Sequence, residues 1–115
     1  MNKVKYFIIG LFLTLLSGCS SVSTGGYYWG DYSSSYYDLL KAPTEQQLAK
    51  RIDSLQGIIE KSAELDSRVP PGIHAELAQC YMKQGLEDQA KNHFRSEMTL
   101  YPESEAFLRR LVDDL

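Results

Sequence analysis

Hydrophobic residues follow three different patterns along this chain. Residues 6–16 form an uncharged, mostly apolar run, which Lys3 and Lys5 precede. Residues 20–37 are rich in serine, glycine and tyrosine without a regular spacing. Beyond them, hydrophobic side chains recur every three or four positions and show no strand-like alternation, which predicts helices. We therefore divide the chain into three parts, residues 1–18, 19–37 and 38–115.

The first predicted helix begins at Thr44, because Thr44 and Gln47 have the spacing of a capping box. An apolar stripe runs along one face of this long helix, and charged side chains such as Arg51 are expected on its exposed side. The stripe consists of Leu48, Ile52, Leu55 and Ile59.

Three more helices are expected after this one. The second covers about Ile73–Gln84 and stops at Gly85, since glycine readily takes the positive φ of a helix terminus. The third covers about Glu87–Leu100, Pro102 breaks it, and a last helix follows over about residues 104–115. The pattern thus predicts a small all-α domain of about four helices.

Residues 71–104 have a spacing that resembles one tetratricopeptide repeat (TPR). The matching positions are Leu77, Ala78, Tyr81, Gly85, Ala90, Phe94 and Pro102. The resemblance implies two closely packed helices, and a single unit needs flanking helices to cover it. It also implies a partner-binding groove on the exposed face of the first helix of the pair, formed here by Gln79, Met82 and Lys83.

The N-terminal part has the layout of a secretory signal peptide, and its apolar run is too short to span a bilayer. Leu16-Ser17-Gly18-Cys19 resembles the bacterial lipobox. The resemblance implies cleavage between Gly18 and Cys19, a diacylglycerol on the Cys19 sulfur and an N-linked acyl chain such as palmitate. Ser20 and Ser21, with no Asp directly after Cys19, resemble the start of lipoproteins sorted to the outer membrane, which implies anchoring at its periplasmic face. An ordinary secreted protein cleaved near Cys19 is the alternative.

Residues 27–37, which we name the aromatic segment, are expected to belong to a flexible tether. They contain Tyr27, Tyr28, Trp29, Tyr32, Tyr36 and Tyr37. Three interpretations stay open: these side chains cover the helical domain, they dock a partner protein, or they stack on sugars or sit at the membrane surface. For the docking interpretation, the candidate contacts are Tyr28, Trp29 and Tyr32.

Charge and candidate chemistry exclude several classes of protein. Removal of Lys3 and Lys5 with the signal peptide changes the formal net charge from −3 to −5, which disfavours nucleic-acid binding. We expect Cys80 to be a buried thiol, and His93 with Glu97 to be a surface pair rather than a metal site. No metal, other cofactor or small-molecule substrate is expected. A hydrolase would have to depend on Cys80 or His93.

The whole mature chain also resembles a family of short proteobacterial lipoproteins of unknown function. The resemblance rests on residues 28–32, on 70–72 and on 94–104. Members of that family are commonly encoded beside a lipoprotein similar to the curli secretion channel, which implies envelope lipoproteins as partners. We therefore expect a non-enzymatic adaptor or accessory subunit of an outer-membrane complex. The alternative is a peptidoglycan or surface-glycan binding module that uses the aromatic segment.

Overall fold

The computed structural model describes residues 26–115 and, outside them, only Lys3. Residues 26–115 form helices joined by short connections and contain no strand, which confirms the all-α prediction. Five α-helices are present in this part of the chain rather than about four. They are α1 (Tyr32–Lys41), α2 (Glu45–Glu64), α3 (Ile73–Lys83), α4 (Glu87–Leu100) and α5 (Glu105–Asp113), with a 3-10 turn at Pro102–Ser104.

Helix α2 begins as the capping box predicts. The Thr44 hydroxyl accepts a hydrogen bond from the Gln47 amide at 3.2 Å, which satisfies one of the free N–H groups of the first turn. The apolar stripe is only partly as expected, because Leu48 and Ile59 are half-buried. The fully buried side of the helix is centred instead on Ile52, Leu55 and Ile58.

Helices α3 and α4 make the most extensive helix–helix contact in the described part of the chain. Ala78 and Ala90 are completely buried, and their small side chains let the two helices approach closely. Phe94 fills the core beside them. Gly85 has φ +74°, so it terminates α3 in the left-handed conformation that the sequence predicts.

The C-terminal helix covers the end of this pair. Pro102 opens the 3-10 turn after α4, and Leu108 of α5 then packs into the core. The Tyr101 hydroxyl donates a hydrogen bond to the Val69 carbonyl at 2.6 Å, which ties the end of α4 to the connection that precedes α3. Helices α2 and α5 therefore flank the α3–α4 pair.

The aromatic segment differs from the expectation of a flexible tether, because its residues 32–37 are helical and belong to α1. Its serine and glycine content is typical of a loop, but contacts with α2 and α3 stabilise the helix, as described below. Apart from Lys3, the predicted signal peptide lies outside the described residues, as do the Gly18–Cys19 cleavage site and residues 20–25 of the tether. No helix in the described part combines the length and apolarity that crossing a bilayer requires.

Candidate functional site

Arg51 fixes α1 to the rest of the domain. The sequence pattern places Arg51 on the exposed side of α2, but the side chain is only 1% exposed. Its Nη1 donates hydrogen bonds to the Tyr32 carbonyl at 2.6 Å and to the Ser35 hydroxyl at 2.7 Å. Its Nη2 pairs with the Glu76 carboxylate of α3. One buried guanidinium thus joins three helices, which explains why the aromatic segment is helical from Tyr32 onward.

Two tyrosine rings also lie close to the Arg51 guanidinium. The Arg51 Cζ lies 4.3 Å from the centre of the Tyr32 ring and 5.4 Å from that of Tyr36, within the range of cation–π attraction. The Tyr32 hydroxyl also donates a hydrogen bond to the Glu76 carboxylate. Burial, followed by this hydrogen bond to Glu76, raises the pKa of Tyr32 above its ordinary value. Tyr32 is therefore a structural contact inside the domain more than a free docking side chain.

Tyr28 and Trp29, the other predicted docking residues of the aromatic segment, are exposed. The Trp29 ring meets the Tyr27 ring edge to face at 6.3 Å and the Tyr32 ring at 5.2 Å. Trp29 is thereby held against α1 while 41% of it stays accessible. The aromatic segment covers the domain in part and exposes aromatic surface in part. Covering the helical domain and docking a partner protein are therefore not mutually exclusive interpretations.

Two of the three predicted groove residues, Gln79 and Lys83, line a cleft between α1 and α3, whereas Met82 is exposed but does not line it. Its volume is about 290 Å³, and the side chains that line it are Tyr36, Leu39, Arg51, Glu76, Gln79, Cys80 and Lys83. Gln79, Met82 and Lys83 are all exposed. Helix α1 forms one wall of this cleft, a contribution that the repeat-like spacing of residues 71–104 gives no means of predicting.

A second cleft, of about 550 Å³, separates α1 from the middle and end of α2. Acidic side chains dominate its walls, with Asp31 and Asp38 on one side and Asp53, Glu60 and Glu64 on the other. Asp31 accepts a hydrogen bond from the Ser54 hydroxyl at 2.6 Å, and Lys61 pairs with Glu64 at 2.8 Å. Because Lys50 and Lys61 also line it, this cleft holds five carboxylates and two ammonium groups and so carries a net negative charge.

The two histidines of the chain meet between α3 and α4. The Nδ1 atoms of His74 and His93 are 2.9 Å apart, and the His93 ring also stacks on Tyr81. Burial lowers the pKa of His74 to about 4, and the neighbouring His93 contributes in the same direction. Burial also lowers the pKa of His93. Both rings are thus neutral at pH 7, when one Nδ1 can donate to the other.

Glu97 is buried, so the prediction that it forms a surface pair with His93 is wrong. Glu97 is 3% exposed, and its Oε1 accepts a hydrogen bond from the Gly72 amide at 2.7 Å. Glu97 therefore caps the start of α3 across the helix pair. Within residues 26–115, no group of three or more histidine, cysteine or acidic side chains is arranged to hold a metal ion.

Cys80 is buried in α3, as the sequence predicts. Burial raises the pKa of its thiol above the ordinary value, with opposing contributions from Lys83 and Arg51. A thiol with a raised pKa carries little of the thiolate that a nucleophile requires. Cys80 therefore acts as a small apolar side chain of the core, bordering the cleft between α1 and α3.

These features define a small all-helical domain whose N-terminal helix presents aromatic side chains. Residues 27–111 match a family model described as a domain of unknown function (DUF4810). Because the match spans most of the sequence, the chain belongs to this family, which agrees with the resemblance to a family of unknown function. No curated protein and no solved structure matches the chain.

Proposed function

We propose that this protein is a lipid-anchored adaptor at the periplasmic face of the outer membrane. In this role it binds a partner protein of an envelope or secretion complex and catalyses no reaction. The observation that carries the proposal is the cleft between α1 and α3, where Gln79 and Lys83 border an accessible concavity. Other envelope lipoproteins are the candidate partners, because the resemblance to a family of short proteobacterial lipoproteins implies them.

The walls of this cleft suit the recognition of a protein segment. Tyr36 and Leu39 supply apolar surface from α1, while Gln79 and Lys83 supply a hydrogen-bonding amide and a positive charge from α3. Non-obligate protein–protein interfaces commonly combine such an apolar centre with a polar rim. The TPR-like spacing of residues 71–104 supports the same use, since repeats of that kind bind partner segments on the first helix of each pair.

A paired substitution tests the cleft. Met82→Ala with Lys83→Glu should reduce co-purification with membrane partners after mild crosslinking of intact cells, because Lys83 lines the cleft and Met82 is exposed next to it in α3. The matched control is Phe107→Ala with Arg110→Glu, which removes an exposed hydrophobic side chain and reverses a positive charge on α5. If both pairs leave co-purification unchanged, the adaptor proposal fails at this cleft.

The anchor is tested separately through Cys19. We expect processing that globomycin blocks, and palmitate labelling that is lost in Cys19→Ser. An unlabelled wild-type chain of mature length would instead support an ordinary secreted protein.

The glycan alternative uses the exposed Trp29 of the aromatic segment. Purified peptidoglycan should not retain the protein if the adaptor proposal holds. Retention that disappears in Trp29→Ala would instead favour a wall-binding module.

A further inference from the structure

One face of α1 is left without a partner in the described part of the chain. Tyr37 and Leu40 lie on this face, and they are 56% and 61% exposed. Their spacing of three residues places them on one side of the helix. We name these two side chains the α1 stripe. Lys41 extends it, since its ammonium lies 4.7 Å from the centre of the Tyr37 ring.

The opposite face of α1 has a different character. Asp31, Ser34, Ser35 and Asp38 recur at helical spacing and line the acidic cleft against α2. Asp38 is the only carboxylate between Tyr32 and Lys41, and it belongs to this cleft face. The helix therefore separates aromatic and basic side chains on one side from acidic side chains on the other.

Chain length limits how far this face can lie from a membrane. The proposed lipid is attached at Cys19, and the described chain begins at Gly26. Seven residues reach at most about 25 Å when fully extended. The helix begins only six residues after Gly26. An acylated Cys19 would consequently hold α1 next to the headgroups at a high local concentration.

The composition of the stripe suits the interface between headgroups and acyl chains. Tyrosine and tryptophan concentrate there in membrane proteins, because an apolar ring carries a polar tip. A lysine near such rings extends its charged end toward anionic headgroups. The carboxylates of the acidic cleft would face away from the bilayer, so they would not oppose the contact.

We infer that the α1 stripe rests on the surface of a phospholipid bilayer, so that the lipid anchor and the stripe together orient the domain. This inference rests on the lipid anchoring that the proposed function includes. Anchoring by acyl chains alone leaves a domain free to rotate, whereas a second contact through α1 restrains it. The cleft between α1 and α3 would then be presented at a defined orientation relative to the membrane.

Trp29 provides a direct test because it is the only tryptophan of the chain and contacts the Tyr32 ring at the start of α1. The full-length lipidated protein would be reconstituted into vesicles of phosphatidylethanolamine and phosphatidylglycerol. We expect blue-shifted Trp29 emission relative to the non-lipidated Cys19→Ser protein, and quenching by lipids with brominated acyl chains. A second reporter, Leu40→Trp in a Trp29→Phe background, should behave in the same way at the far end of the stripe.

Control variants separate this contact from general proximity to the vesicle. Phe107→Trp in the Trp29→Phe background places the reporter at an exposed position of α5 and should stay unquenched. Tyr37→Asp with Leu40→Asp should abolish the quenching of Trp29, whereas Phe107→Asp should leave it unchanged. Circular dichroism checks that each variant keeps its helices.

The outcomes distinguish the stripe from the anchor. If the wild-type protein does not float with the vesicles, the lipid anchor of the proposed function is refuted. If it floats and the tryptophan reporters at positions 29 and 40 remain as accessible to acrylamide as the control reporter at position 107, the stripe does not contact lipid and our inference is wrong. If the reporters at positions 29 and 40 are protected only after envelope extract is added, the stripe binds a protein partner. That result would also contradict our inference.

Discussion

Replacing Arg51 with methionine should weaken the domain far more than the loss of an exposed charge does. Methionine keeps much of the length of the side chain but removes hydrogen bonds to α1 and the ion pair with Glu76. Breaking a fully buried ion pair costs about 3–5 kcal/mol, because the remaining charge has no partner. Glu76 is 30% exposed, so water can solvate its carboxylate, and we expect a loss of about 2–3 kcal/mol.

Urea denaturation followed by two probes measures this effect. For a urea slope of about 1–1.5 kcal/mol per molar, the midpoint should fall by about 2 M. Trp29 fluorescence should report the release of α1 at lower urea than circular dichroism reports the loss of α3 and α4, since Trp29 packs on Tyr32. In the wild type the two probes should agree.

Two further variants decide whether this reasoning is correct. Arg95→Met removes an exposed arginine of α4 and should change the free energy of unfolding by less than about 0.5 kcal/mol. Arg51→Met with Glu76→Gln should recover part of the loss, because no unpaired carboxylate remains. Equal midpoints for Arg51→Met and Arg95→Met would refute the role that we assign to Arg51.

Four other predictions concern two glycines, one helix cap and one histidine. Gly57→Ala should raise the free energy of unfolding by about 0.5–1 kcal/mol, because a Cβ at this exposed position of α2 meets no atom within 4 Å. Gly85→Ala should lower it by about 1–2 kcal/mol, since Gly85 has φ +74°; urea midpoints check both signs. Thr44→Ala should cost about 1 kcal/mol through the lost cap, measured in the same way. Stability should also fall between pH 7 and pH 5 by up to about 2 kcal/mol, because the unfolded chain protonates His74 near 6.5 and the folded chain only near 4. His74→Gln should reduce that pH dependence.

Local signals predict the helix pair well. The start and end of α4 coincide with the predicted residues 87–100, and α3 ends one residue before the predicted Gln84. Thr44 and Gly85 act as the expected helix-terminal residues. Each of these features depends on side chains within a few positions along the chain, so periodicity and capping rules are sufficient to find them.

Long-range contacts account for what the sequence does not predict. Helix α1 is stabilised by Arg51, which lies 16–19 residues away, and no local pattern identifies an arginine as a buried contact of two other helices. Glu97 likewise caps the start of α3 from a position 25 residues away. The cleft between α1 and α3 depends on the first of these contacts, because Arg51, together with the hydrogen bond from Tyr32 to Glu76, holds its two walls in place.

Site-specific photo-crosslinking in the native envelope tests the central claim most directly. A photoreactive amino acid at position 79, which lines the cleft between α1 and α3, should form a discrete adduct with one envelope protein. The adduct should be lost in Cys19→Ser and in Lys83→Glu, whereas the same amino acid at position 107 should form none. The account would be contradicted if position 79 formed no adduct in the lipidated protein, or if positions 79 and 107 gave the same products.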